Sequence, residues 1–233
     1  MTSTVLVTGA GRGLGLALVK RFLEGGYHVL AGKHHSVDEL NRLARDHPKD
    51  LTAISLDVSD LDSVRAAAKR AAEEFPALDM VINNAAIYPD EARGTLGALD
   101  FECALHVYNV NVLGALRVTQ EFMPLLEKGT HKLIVNITSE AGSIADSRRS
   151  SEYFYCMSKT ALNMQSNILQ NALKSNGFKV LAIHPGWMRT DMGGSDADID
   201  PGEAADGIFN LTMRDWDSDD AIYIDYTGKP MRW

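Results

Sequence analysis

The chain has 233 residues, 45% of them hydrophobic, and a formal net charge of −8 at pH 7. That length and apolar content suit one buried core and exclude a disordered chain, while the acidic balance argues against a phosphate-backbone partner, so no nucleic acid is expected. No apolar run reaches the roughly 20 residues needed to cross a bilayer, and the opening MTSTVLVTGA enters a strand-like run with no charged segment before it, so no membrane association and a cytoplasmic location are expected.

In chain order, TVLVT (4–8) reads as a first strand and leads through TGAGRGLG into a helical pattern, LGLALVKRFLEGG, that stops at Gly25-Gly26. YHVLAG (27–32) is a second strand. SVDELNRLARDHP follows as a helix, opened by a capping-box spacing from Ser36 to Glu39 and stopped before Pro48. LTAISL (51–56), DMVIN (79–83), KLIVNIT (132–138) and KVLAIH (179–184) continue the strand series, and AIYID (221–225) is a seventh. Helix-length segments lie near 60–74, 100–127 and 152–176. Strands that are apolar almost throughout are covered on both faces. The alternation therefore predicts one α/β domain, a doubly wound parallel sheet of about seven strands with helices on both faces, without repeats or linkers.

The four glycines Gly9, Gly11, Gly13 and Gly15 stand between the first strand and the first helix. Glycine lets the backbone approach a pyrophosphate, and a helix N-terminus offers it N–H groups and a favourable dipole. A tight structural turn would also need glycine, but this context favours a dinucleotide, and no Gly-Lys-Ser/Thr follows to suggest a P-loop. The spacing from Thr8-Gly9 to Gly13 and Gly15 resembles the short-chain dehydrogenase/reductase family, a Rossmann-fold group. The resemblance runs along the chain through LDV (56–58), NNAA (83–86), NVLG (111–114), NITSEAGS (136–143) and HPGWMRT (184–190). Ala86 stands where the family usually has glycine. With FMPLLEKG and YTGKPMRW, these stretches look most like the C-factor/sniffer-like carbonyl reductases. The resemblance implies cofactor contacts at Thr8, Gly9, Gly11, Arg12, Gly13, Leu14, Gly15, Lys33, Asp57, Val58, Asn84, Ala85, Ala86, Pro185, Gly186, Met188 and Thr190.

In YFYCMSK (153–159), residues four apart share a helix face, so Tyr155 and not Tyr153 faces Lys159. This matches the family's Tyr-x-x-x-Lys. A phenol can protonate a carbonyl oxygen, and an adjacent ammonium together with a nicotinium charge is expected to lower its pKa and so assist the reverse reaction. The resemblance further implies that Lys159 binds the nicotinamide ribose, that Ser139 (rather than Thr138) holds the substrate oxygen, and that Asn111 holds a water in a proton relay. Each has a plainer reading: a surface pair for Tyr155 and Lys159, a cap for Ser139 or Asp57, a satisfied backbone for Asn111. Their arrival in order favours the catalytic set Asn111, Ser139, Tyr155 and Lys159.

The expected activity is hydride transfer between NADP(H) and a small carbonyl or secondary alcohol, against a non-catalytic nucleotide-binding signalling protein on the same fold. A dehydratase or epimerase of the extended branch would need a longer C-terminal region. NADP(H) is favoured over NAD(H) because Gly32 stands where NAD-preferring relatives carry an acid, with Lys33 and Arg12 to meet a 2′-phosphate and His34 or His35 as further donors. Arg148 and Arg149 read as a solvated basic turn or as contacts to an anionic or polyhydroxylated substrate. A small mobile lid is expected at about 191–205. Cys103 and Cys156 read as reduced packing residues, and the histidines lack metal-ligand spacing. Family members pair through their two long helices, so a homodimer or homotetramer is expected.

Overall fold

Seven of the apolar runs form strands in a computed structural model that describes residues 2–35, 38–217 and 219–233. They are β1 (Thr4–Val7), β2 (His28–Lys33), β3 (Leu51–Ser55), β4 (Met80–Asn83), β5 (Leu133–Ile137), β6 (Lys179–His184) and β7 (Tyr223–Asp225). They make one sheet in the order β3-β2-β1-β4-β5-β6-β7, with every pairing parallel. The order reverses between β1 and β4, which opens a crevice at the carboxyl ends of the strands, where ligands bind in such sheets.

The pleat explains why the strands are apolar on both sides. Val5 and Val7 of β1 join one core cluster with Val29, Ala31, Met80, Ile82, Val135 and Ile183, whereas Leu6, Leu30, Val81, Ile134 and Val180 join the other. The first cluster is covered by α1 (Gly13–Glu24), α2 (Asp38–Asp46) and α7 (Pro201–Thr212); the second is covered by α3 (Leu61–Glu74) and α5 (Ala115–Leu126). Each fully buried aliphatic side chain contributes about 1.5–3 kcal/mol relative to exposure. Both layers are therefore needed to offset the chain entropy of folding.

The long helix expected at 100–127 is three pieces: α4 (Phe101–Tyr108), a π-helical turn over Asn109–Gly114, and α5. Gly114 ends the turn against the loop after β3, where a Cβ would lie 2.8 Å from Val58 Cγ2. Such turns are uncommon and cluster at functional sites; this one carries Asn111. The other long helix is α6 (Tyr153–Leu173), continued by a 3-10 turn over Lys174–Asn176.

The stretch expected as a lid, 191–205, divides at Asp200. Asp200 accepts from the Gly202 amide and Pro201 opens α7, whose Ala204, Ala205, Ile208 and Phe209 are buried. Phe209 meets Phe22 edge-on, ring centroids 5.1 Å apart. The glycines and aspartates of this stretch hid that helical period, so only residues before Asp200 are left to cover the cleft. The capping box at Ser36 lies outside the described residues; α2 begins at Asp38. No helix among the described residues is long and apolar enough to cross a membrane.

Candidate active site

The crevice is a cavity of about 1100 Å³. Every expected site residue lines it except Thr8 and Asn111, which stand behind its wall. Thr8 Oγ1 accepts from the backbone N–H groups of Asn84 and Ala85, both at 3.0 Å, while Asn84 Nδ2 donates to Thr8 O at 2.9 Å. These bonds tie the end of β1 to the end of β4 and so fix the mouth of the crevice. Asn111 Oδ1 accepts from Ile87 N at 2.8 Å, and its Nδ2 donates to Ile87 O at 3.0 Å and Ser158 Oγ at 3.2 Å. The amide N–H groups of Asn111 are thus committed to protein.

The glycine loop fits a dinucleotide. Gly9 has φ +63°, and a Cβ there would lie 2.9 Å from Ala85 Cα; one on Gly15 would lie 2.2 Å from Gly9 O. No side chain caps the N-terminus of α1, which leaves its first N–H groups to an anion in the crevice. Around the adenosine end, Lys33 Nζ donates to Asn41 Oδ1 at 2.6 Å, Arg12 pairs with Asp191 at 2.6 Å, and His34 Nε2 lies 3.2 Å from Asp57 Oδ2. Burial opposes ionisation of Asp57, but the hydroxyl and amide of Ser59, with His34 and His106 nearby, outweigh it and hold the carboxyl below its ordinary pKa.

On α6, Tyr155 and Lys159 do share a face, with Lys159 Nζ 5.7 Å from the Tyr155 ring centre. Lys159 is 2% exposed and donates to Ile137 O at 2.9 Å. Burial lowers its pKa to about 8. Burial raises that of Tyr155 to about 12, against the opposing hydrogen bond from Ser139. In the cleft without cofactor, desolvation of the phenolate outweighs the Ser139 hydrogen bond and the Arg149 guanidinium; the lowering expected of Lys159 and a nicotinium charge together concerns the cofactor-bound state. At neutral pH this is a protonated phenol beside an ammonium, an arrangement able to give up a proton. Ser139, the first residue after Thr138, faces the cleft as expected, whereas the Thr138 hydroxyl is taken by Asn163 Oδ1 at 2.6 Å.

A model of the short chain dehydrogenase family matches residues 3–199. The chain belongs to the short-chain dehydrogenase family. C-signal of Myxococcus xanthus is 33% identical over 156 residues, which make up 67% of this chain and 93% of that protein. The crystal structure of NADPH-bound carbonyl reductase from chicken fatty liver superposes with a TM-score of 0.91 at 32% identity, over 100% of this chain and 99% of the other. Carbonyl reductase Sniffer of D. melanogaster superposes with a TM-score of 0.93 at 26% identity, over 100% of both chains. The chain is thus an oxidoreductase of the short-chain dehydrogenase family, as its motifs implied.

In this short-chain dehydrogenase the substrate end holds residues that the motifs did not mark. Tyr88 packs on Tyr155, ring centres 4.4 Å apart and tilted by 38°. Its hydroxyl donates to Glu152, and Arg149 bridges Glu152 and Glu140. The Arg93 guanidinium stands over the Tyr88 ring at 4.5 Å. Glu152 precedes α6 in a left-handed conformation, φ 64° and ψ 33°, which costs a non-glycine residue about 1 kcal/mol or more. That conformation goes with its bonds to Tyr88 and Arg149. Of the two readings open for this pair, Arg148, exposed and bonded to Ser147 O, fits the solvated turn and does not line the cleft, whereas Arg149 lines it but is already paired with two carboxylates. Tyr153 is not in the cleft wall either, but packs with Ala92, Val107 and Phe154. Tyr88 takes the wall position instead, and only its closeness to NNAA in the sequence hinted at it.

Proposed function

We propose that the protein is an NADP(H)-dependent carbonyl reductase acting on uncharged ketones or aldehydes, with Tyr155 as the proton donor. The carrying observation is that Tyr155 shares a helix face with buried Lys159 and lines the same cleft as Ser139; burial, which raises the tyrosine's pKa to about 12, agrees with a phenol that holds its proton. Bound in the crevice, the nicotinamide would supply the hydride. Ser139 and Tyr155 hold the substrate oxygen between their hydroxyls, and the Tyr155 O–H passes its proton to that oxygen as negative charge develops there. The Lys159 ammonium stabilises the phenolate left behind and meets the ribose hydroxyls. A silent nucleotide sensor is disfavoured by the intact pair, since a binding protein needs no protonated phenol aimed into its cleft.

The charge balance beside Tyr155 supports an uncharged substrate: Arg149 is shared by Glu140 and Glu152, and Arg93 pairs with Asp90, so a keto acid would have to compete with carboxylates for either cation. NADPH consumption should be seen with neutral ketones or aldehydes and be far slower with keto acids of the same size. No consumption with any carbonyl in a broad panel would sink the reductase reading.

For the cofactor, the absent acid at Gly32 and the cations Lys33 and Arg12 support a 2′-phosphate, as does the NADPH held by the chicken relative. A lost charge-assisted contact is worth about 1.5–3 kcal/mol, so Lys33→Ala or Arg12→Ala should weaken NADPH binding about tenfold or more and barely affect NADH. The Arg12–Asp191 pair is mostly exposed and contributes little, so a phosphate can displace it. Equal use of NADH and NADPH by the parent protein would overturn the preference. The free thiols Cys103 and Cys156 suit a reducing, cytoplasmic setting. Exposed Phe101, Leu105 and Leu116 on α4 and α5, with Met157, Met164 and Ile168 on α6, suit burial in a homodimer or homotetramer.

A further inference from the structure

Ser139 leaves β5 where the sheet's own hydrogen bonds run out. Thr138 N still donates to Ile183 O at 2.9 Å; the next peptide, between Ser139 and Glu140, lies outside the sheet ladder, where Gly142 N donates to its carbonyl at 3.0 Å and one side chain bonds each of its ends. Tyr223 OH donates to Ser139 O at 2.8 Å, and Glu140 N donates to His184 Nδ1 at 3.2 Å. Both side chains come from the adjoining strands, His184 from the last position of β6 and Tyr223 from the first of β7. Tyr223 is 1% exposed and stacks on Trp233 with ring centres 5.0 Å apart, so its hydroxyl has little freedom to turn away.

We propose that His184 and Tyr223 are positioning residues for Ser139, clamping the peptide that follows it from both ends, and that His184 clamps only while its ring is neutral. The proposal rests on the reading of Ser139 as the holder of the substrate oxygen. The hydroxyl of Ser139 accepts from Ala141 N at 3.1 Å, so its aim follows the path of this same turn. A rotation of the Ser139–Glu140 peptide would swing the hydroxyl away from Tyr155, and small misplacements of such groups are costly in rate.

The tautomer follows from the geometry. A ring nitrogen that accepts an N–H carries no proton, so neutral His184 has its hydrogen on Nε2. Protonation turns Nδ1 into a donor facing another donor, and the bond to Glu140 is lost. The groups around the ring are the Glu140 carboxylate from the turn, Asp225 from β7 and Lys159 from α6. Burial is the largest influence and lowers the pKa of His184, Lys159 adds to that lowering, and the two carboxylates oppose it. The ring is therefore neutral at pH 7 and the clamp is set; acid releases it.

The test compares His184→Leu, His184→Asn and Tyr223→Phe with Ser139→Ala. His184→Leu and Tyr223→Phe should each lower kcat about tenfold with NADPH affinity little changed. An asparagine can place its amide oxygen near the Nδ1 position without titrating, so His184→Asn should restore most of kcat and lack the fall in kcat expected of the parent when acid protonates His184. A second readout needs no turnover. In the free protein, exchange of the Glu140 amide, corrected for its intrinsic rate, should accelerate about tenfold in His184→Leu and stay slow in His184→Asn. Unchanged Glu140 exchange in His184→Leu, or a His184→Asn variant as slow in turnover as His184→Leu, would overturn the clamp. Full activity in Ser139→Ala would instead overturn the role of Ser139, and the exchange measurements would still decide whether the peptide is clamped.

Discussion

Tyr155→Phe should lower carbonyl turnover by about a thousandfold while NADPH affinity stays within about twofold. The substitution removes one oxygen and leaves the ring against Tyr88, so the cleft keeps its shape and loses only its proton donor. Because burial holds Tyr155 protonated up to about pH 12, the parent's reduction rate should not decline through loss of this proton anywhere near neutrality. Oxidation of the alcohol needs the phenolate and should climb steeply with pH instead. Tyr153→Phe is the control. Tyr153 packs in the small apolar cluster with Ala92, Val107 and Phe154, so losing its hydroxyl should change turnover about twofold or less. Near-normal turnover in Tyr155→Phe, or a large loss in Tyr153→Phe, would assign the chemistry to another group.

The sheet, its order-reversal crevice and the Tyr155–Lys159 register were legible because each depends on a local rule. Strand periodicity marks buried runs, glycine marks close approach, and four-residue spacing marks a helix face. What was not legible depends on groups distant in sequence. The bond of Tyr88 to the left-handed Glu152 and its packing on Tyr155 join segments more than sixty residues apart, and the charge bridge through Arg149, though local, follows no helix or strand period. The π turn around Asn111 was hidden because its apolar spacing is that of an ordinary helix to within one residue. The α7 helix was masked by glycine and aspartate, which lower local propensity, yet tertiary packing of Phe209 on Phe22 overrides it. The raised pKa of Tyr155 without cofactor was not legible for a physical reason: proximity to a cation is visible in a sequence, whereas desolvation is a property of the folded cleft.

Lys159→Met should separate activity from stability. Turnover should fall about a hundredfold or more if Lys159 acts as proposed, because the variant lacks the charge that would stabilise the phenolate and meet the ribose. Stability should respond in the opposite sense near neutral pH. Lys159 has a folded pKa of about 8 against an ordinary 10.5, so the unfolded chain binds this proton more tightly than the native one. Stability from this group therefore rises with pH between the two values and is lowest below about pH 8, where the native state must bury a charge. The shift of about 2.5 units sets a ceiling of roughly 3 kcal/mol, of which about 2 kcal/mol should be recovered between about pH 7 and pH 10. Methionine has a similar length and no charge, so its variant lacks that slope. Denaturant unfolding of both proteins without cofactor should show the variant's advantage over the parent shrinking by about 2 kcal/mol across that range, whatever constant offset the lost bond to Ile137 O adds. Parallel pH profiles would mean that Lys159 carries no buried charge in the free protein, and the ammonium beside Tyr155 would then have to be assembled by the cofactor. A lysine that costs stability in the free fold and is retained for chemistry is the expected form of a stability–activity trade-off.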